Sequence, residues 1–106
     1  MDVKWASGNW LVKEGSEEEF VARWKEWLGW TSQTMAGFRS ATLIRADEDP
    51  RRFVSFSDWD NEASRAAWLN SDDSKQKFGA AKDLCDEFMG GNFERAASFS
   101  SAAASA

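Results

Sequence analysis

The stretch Arg51-Arg52-Phe53-Val54-Ser55-Phe56-Ser57-Asp58-Trp59, followed by Asp60-Asn61-Glu62-Ala63-Ser64-Arg65-Ala66-Ala67-Trp68, decides the fold. Its first half sets Phe53, Ser55, Ser57 and Trp59 on one parity against Arg52, Val54, Phe56 and Asp58 on the other. Successive strand side chains point to opposite faces, so this is a strand with aromatic residues on both. Cover on both faces implies a central place in a sheet. Asp60 or Asn61 then offers a side-chain acceptor to the first turn of a helix, and Ala63, Ala66 and Ala67 favour helix. Two indoles, Trp59 and Trp68, bracket one strand-to-helix corner.

Upstream, Val3 to Val12 alternates Val3, Trp5, Ser7, Asn9 and Leu11 against Lys4, Ala6, Gly8, Trp10 and Val12, which is again a strand. Lys13-Glu14-Gly15 turns, and Ser16 with Glu19 forms a capping-box pattern at the start of a helix. Glu17, Glu18 and Glu19 suit the positive end of that helix's dipole, so the acidic run reads as structural rather than metal-binding. Phe20, Trp24, Trp27, Leu28 and Thr31 recur at helical spacing and form one apolar stripe. Gly37 to Ala46 alternates as a strand, and Asp47-Glu48-Asp49-Pro50 is a tight turn into Arg51. After Trp68, Asn70-Ser71-Asp72-Asp73 breaks and recaps. A helix is expected from Asp72 to Met89, ended by Gly90-Gly91, with Phe78, Ala81, Leu84, Cys85, Phe88 and Met89 on one face. A last strand is expected from Asn92 to Ser98 or Phe99. Residues 1–100 form one domain, and residues 101–106 are expected to be a disordered tail.

The chain has 106 residues, net charge −5 and a pI near 4.7, which disfavours nucleic acid because phosphate binding needs a basic surface. No apolar run nears the roughly 20 residues of a membrane span and no signal-peptide pattern opens the chain, so a cytoplasmic protein is expected. There is one cysteine and no histidine. The absent imidazole removes the commonest metal ligand and the usual general base near neutral pH. Neither a metal site nor a cofactor is expected. Seven tryptophans against no tyrosine make indole the unusual resource of this sequence.

The motifs FVSFSDW at 53–59 and EAxxxAW at 62–68 resemble the antibiotic biosynthesis monooxygenase family. Trp10 to Gly15, Glu18-Glu19-Phe20, Gly37-Phe38 and Asp49-Pro50 follow that family's order, and the resemblance spans roughly residues 3 to 99. It implies a ferredoxin-like split βαβ fold of the α+β class, which the element order β-α-β-β-α(α)-β also indicates. A four-stranded antiparallel sheet would carry helices on one face, and two copies would stack their free faces into a dimeric α+β barrel. The bare apolar face by itself calls for a partner, and a homodimer is the simplest. By the resemblance, a pocket between sheet and helices would be lined by Gly8, Trp10, Trp24, Trp27, Trp59, Trp68 and Phe78. Aromatic walls suit a small, flat aromatic or apolar molecule.

Two branches of the family have known chemistry, and the sequence departs from both. The haem-degrading branch carries an Asn where this chain has Gly8, with Asn9 one residue off and so facing the opposite side. Trp68 matches its helix Trp, but its iron-ligating His falls near Lys77. The branch that oxidises aromatic polyketides with O2, without metal or flavin, has Trp, Asn and Tyr where this chain has Trp59, Ser55 and Arg65. The resemblance thus implies a cofactor-independent monooxygenase, with Trp59 orienting the ring, Ser55 polarising oxygen and Arg65 stabilising an oxyanion. The other reading is a dimeric binding or stress-related domain without turnover.

Overall fold

The computed structural model describes residues 3–102. In it the chain runs β1 (Lys4–Val12), α1 (Glu17–Thr34), β2 (Phe38–Arg45), β3 (Arg52–Trp59), α2 (Glu62–Asn70), α3 (Asp72–Lys82) and β4 (Cys85–Glu94). The four strands form one antiparallel sheet in the order β2-β3-β1-β4, which is the split βαβ arrangement. β3 is central, as its two-sided aromatic content implied, and β1 lies beside it in the middle of the sheet. All three helices cover one face.

The inward residues of the central strands, Ala6, Trp10, Val12, Phe53 and Trp59, are buried beneath Phe20, Trp24, Trp27 and Leu28 of α1, Trp68 of α2 and Ala81 of α3. Asn61 caps α2 by accepting from the Ser64 amide at 2.8 Å. Ser71 caps α3 in the same way through the Ser74 amide. The expected capping box at Ser16 does not form. Gly15, at φ +89°, folds Lys13 to Ser16 into a turn in which the Ser16 amide donates to the Lys13 carbonyl. That turn leaves Ser16 at ψ 9°, outside the extended conformation from which a cap side chain reaches back to its helix.

The C-terminal third corrects the sequence reading. α3 ends at Lys82, not Met89, and the last strand spans Cys85–Glu94 instead of beginning at Asn92. Leu84, Cys85, Phe88 and Met89 fit a helical stripe, but the free edge of β1 needs a ladder partner, and residues 85–94 provide it. The Lys13 amide donates to the Leu84 carbonyl at 2.9 Å, pinning the point where helix becomes strand. Gly90-Gly91 is therefore not a helix stop but the middle of β4. A strand glycine packs poorly by itself. Here the Phe88 ring lies over Gly90 on the inner face and the Phe93 ring over Gly91 on the outer, replacing the missing side chains.

The outer face of the sheet has no cover from its own chain. Ile44, Phe56, Met89 and Phe93 are exposed there, with Met89 at 74% and Phe93 at 57%. Among the described residues no helix is long and apolar enough to cross a membrane. The tail expected over 101–106 falls mostly outside the described residues, which end at 102.

Candidate functional site

Cross-strand pairs of a sheet share a face, so the register lists the inner surface row by row. One row is bulky: Phe53, Trp10 and Phe88 on β3, β1 and β4. The next two are small: Ser55, Gly8 and Gly90, then Ser57, Ala6 and Asn92. Beyond them Trp59 pairs with Lys4. Helices resting on the large residues bridge the small rows without filling them. The result is a cavity of about 450 Å³, within the range of small-molecule sites.

Gly8 and Gly90 leave the floor bare. A Cβ at Gly8 would stand 2.7 Å from Trp10 Nε1 and 2.9 Å from Ser55 Oγ, so only glycine fits beside that pair undisturbed. The walls are Trp24, Trp27 and Leu28 from α1, Trp68 and Leu69 from α2, and Ser74, Lys75 and Phe78 from α3. Trp10 and Phe88 close one end, their ring centroids 4.4 Å apart. Trp27 stacks on Trp68 at 5.0 Å with planes 13° apart, and Trp59 backs Trp68 at 4.9 Å. Trp68 is thus packed between Trp27 and Trp59.

Four of the buried indoles, Trp10, Trp27, Trp59 and Trp68, pair their N–H with a hydroxyl. Trp10 donates to Ser55, Trp27 to Ser74 and Trp59 to Ser57, each at 3.0 Å. Trp68 donates to Thr31 at 3.0 Å, and the Thr31 hydroxyl in turn donates to the Trp27 carbonyl at 2.8 Å. Ser55, Ser57 and Ser74 line the cavity and act only as acceptors in these bonds. A hydroxyl that accepts from indole keeps one O–H to give. The cavity therefore holds hydrogen-bond donors aimed by tryptophan, against apolar walls. Among the described residues no carboxylate lines it, and Lys75 is the one charged residue that does.

A sequence profile of antibiotic biosynthesis monooxygenases matches residues 7–78, from the strand bearing Gly8 to Phe78. The chain belongs to the antibiotic biosynthesis monooxygenase family. Among solved structures it is similar to SnoaB, a cofactor-independent oxygenase from Streptomyces nogalater, with TM-score 0.83 and 17% identity over 92% of this chain and 97% of that one. A conserved protein from Methanosarcina mazei gives TM-score 0.77 at 19% identity, covering 88% and 92% of the two chains. One from Bacteroides thetaiotaomicron gives 0.79 at 18%, covering 89% and 98%. At these identities the neighbours speak for the fold. No curated protein matches the sequence.

Within this family fold, Gly8, Trp10, Trp24, Trp27, Ser55, Trp68 and Phe78 come together around the cavity. Trp59 and Arg65 stand outside its lining. Trp59 is wholly buried behind Trp68, and its N–H is spent on Ser57. Arg65, 8% exposed, donates through Nη1 to the carbonyls of Trp5 at 2.7 Å and Phe93 at 2.9 Å, tying α2 to β1 and β4. Arg52 points to the outer face, where it donates to Asn9. Sequence reasoning missed Ser57, Ser74, Lys75, Phe88 and Asn92 as lining residues. Ser57 shares the parity of Ser55 and was open to detection. Phe88 and Asn92 were hidden by the helical reading of β4, and Ser74 and Lys75 by looking like an ordinary first turn. Cys85 lies outside the cavity, its thiol pushed up to about 11 by burial and then by Asp86, with Lys13 acting the other way. It is an inert protonated thiol at neutral pH.

Proposed function

We propose that the chain is a cofactor-independent monooxygenase that oxidises an aromatic or phenolic small molecule with O2 in the tryptophan-walled cavity, working as a homodimer. One observation carries the reading: a Ser55 hydroxyl, held by the Trp10 indole at 3.0 Å, faces a cavity whose floor at Gly8 and Gly90 is bare. An electron-rich anthrone or hydroquinone ionises to a carbanion or phenolate that can reduce O2 directly. For an anthrone CH2, O2 adds as a hydroperoxide, which loses water to leave the ketone. No outside reductant enters that balance. The protein's share is to hold the ring between Trp27, Trp68 and Phe78, exclude water, and donate from Ser55 to the developing oxyanion. Trp59 acts from behind, fixing the plane of Trp68. The exposed apolar residues of the outer sheet face, Ile44, Phe56, Met89 and Phe93, support the dimer.

A second reading, binding without turnover, is favoured by the lining itself: among the described residues Lys75 is its one acid–base side chain, and no carboxylate or imidazole stands by to remove the substrate proton. Oxygen uptake with anthrones and hydroquinones, with products weighed by mass spectrometry, separates the two. The monooxygenase reading expects uptake above the spontaneous rate and a fall of about 10²-fold in kcat in Ser55→Ala, the typical loss for one oxyanion donor. Quenching of tryptophan fluorescence by the same compounds with no uptake above background would replace it with the binding reading.

A further inference from the structure

The charges of α3 are distributed unevenly about the cavity. Lys77 places its ammonium over the Trp30 ring at 5.2 Å, and Lys82 over the Phe78 ring at 5.9 Å. Lys75 has neither a carboxylate nor a ring as partner among the described residues, and it lines the cavity. Beside it Ser74, 3% exposed, accepts from Trp27 and keeps its own proton to give. Asn92 of β4 lines the same cavity and is exposed, as is Lys75, so these two mark its open side. The first-turn acids Asp72 and Asp73 are exposed and do not line it.

We propose that Lys75, with Ser74 and Asn92, forms a subsite for an anionic group, a carboxylate or ionised phenol, carried at one end of the aromatic ligand. This rests on the reading that an aromatic molecule occupies the cavity, and it sets that molecule's direction. The rings enter towards Trp10 and the bare floor at Gly8, and the anion stays at the rim. Ammonium, hydroxyl and carboxamide donors line the same cavity, and among the described residues no carboxylate lines it to compete for them. Lys75 is exposed, so water screens its ammonium and an anion held there gains the modest energy of a rim ion pair. An uncharged ligand of the same shape gains none of this, so the subsite selects for acids.

The test uses anthraquinone-2-carboxylate and its uncharged isostere anthraquinone-2-carboxamide, titrated by tryptophan fluorescence into the wild type, Lys75→Met and Lys75→Glu. The carboxylate should bind the wild type about fivefold more tightly than the carboxamide, the upper range for a partly exposed ion pair. Lys75→Met should erase the preference with carboxamide affinity unchanged, and Lys75→Glu should invert it. Salt approaching about 0.5 M should shrink it in the wild type. Equal affinities in the wild type, or a preference that survives Lys75→Met, would overturn the subsite while leaving the aromatic-ligand reading intact. Binding of neither compound would overturn that reading and the subsite with it.

Discussion

Two glycine-to-alanine substitutions should shift stability in opposite directions, and the geometry says which. At Gly8 the new methyl would sit 2.7 Å from Trp10 Nε1 and 2.9 Å from Ser55 Oγ, inside normal contact distance of both. Both atoms are held by their mutual hydrogen bond within the core, so relief means breaking that bond or tilting the Trp10 ring against Phe20 and Phe88. Overpacking of this kind costs about 1–3 kcal/mol. Removing a strand glycine returns about 0.5–1 kcal/mol. Gly8→Ala should therefore destabilise by about 1 kcal/mol, within a span of about 0–2.5, and Tm should fall by about 4–8 °C for each kcal/mol. At Gly79, inside α3, nothing lies within 4 Å of the new methyl. Gly79→Ala should stabilise by about 0.5–1 kcal/mol through helix propensity and the stiffer unfolded chain. Urea unfolding followed by circular dichroism measures both, and ligand quenching should weaken in Gly8→Ala but not in Gly79→Ala. A Gly8→Ala protein as stable as wild type, with unaltered quenching, would refute the placement of the Trp10–Ser55 pair against a bare floor.

Arg65→Met leaves the carbonyls of Trp5 and Phe93 without their buried donor. It should lower urea stability by about 1.5–3 kcal/mol, the range for hydrogen bonds to charged groups, while the folded fraction binds aromatic ligands as wild type does. A loss of affinity without a loss of stability would place Arg65 in the site after all. Because the Cys85 thiol is pushed up to about 11 in the fold, the unfolded chain releases that proton first as pH rises from about 9. The unfolded state then binds fewer protons, so stability should drop between about pH 9 and 11, and Cys85→Ala should lack this component. At about pH 8 iodoacetamide should label Cys85 readily only after unfolding. Labelling of the native protein at the unfolded rate would contradict a protonated thiol.

Much of this fold follows from local periodicity. The alternation of residues 52–59 and 4–12 and the stripe Phe20, Trp24, Trp27, Leu28 identify two strands and a helix, since each pattern is decided by near neighbours. The corner from Trp59 through the Asn61 cap to Trp68 is equally local. The family resemblance, which supplies geometry that local pattern lacks, implied a pocket of Gly8, Trp10, Trp24, Trp27, Trp59, Trp68 and Phe78, and all of these but Trp59 line the cavity. Ser16 shows the limit of local rules: the residues of a capping box are present, but the Gly15 turn sets a backbone angle from which the bond cannot form.

What only tertiary structure decided lies in residues 83–94. Leu84, Cys85, Phe88 and Met89 are spaced for a helix, and the choice of strand came from the free edge of β1, a partner more than seventy residues away in the chain. With that choice Phe88 and Asn92 turned inward, Gly90 met Gly8, and two rows of small side chains lined up beneath the helices. Trp59 shows the same dependence. Its parity placed it on the inner face, but Trp68 settled in front of it, so the indole at the corner became a support for the wall instead of part of it. Sequence determines which residues share a face, because that depends on the pitch of the chain. Whether a face is filled or hollow depends on what the neighbouring strands bring to the same row, and no single stretch of sequence contains that.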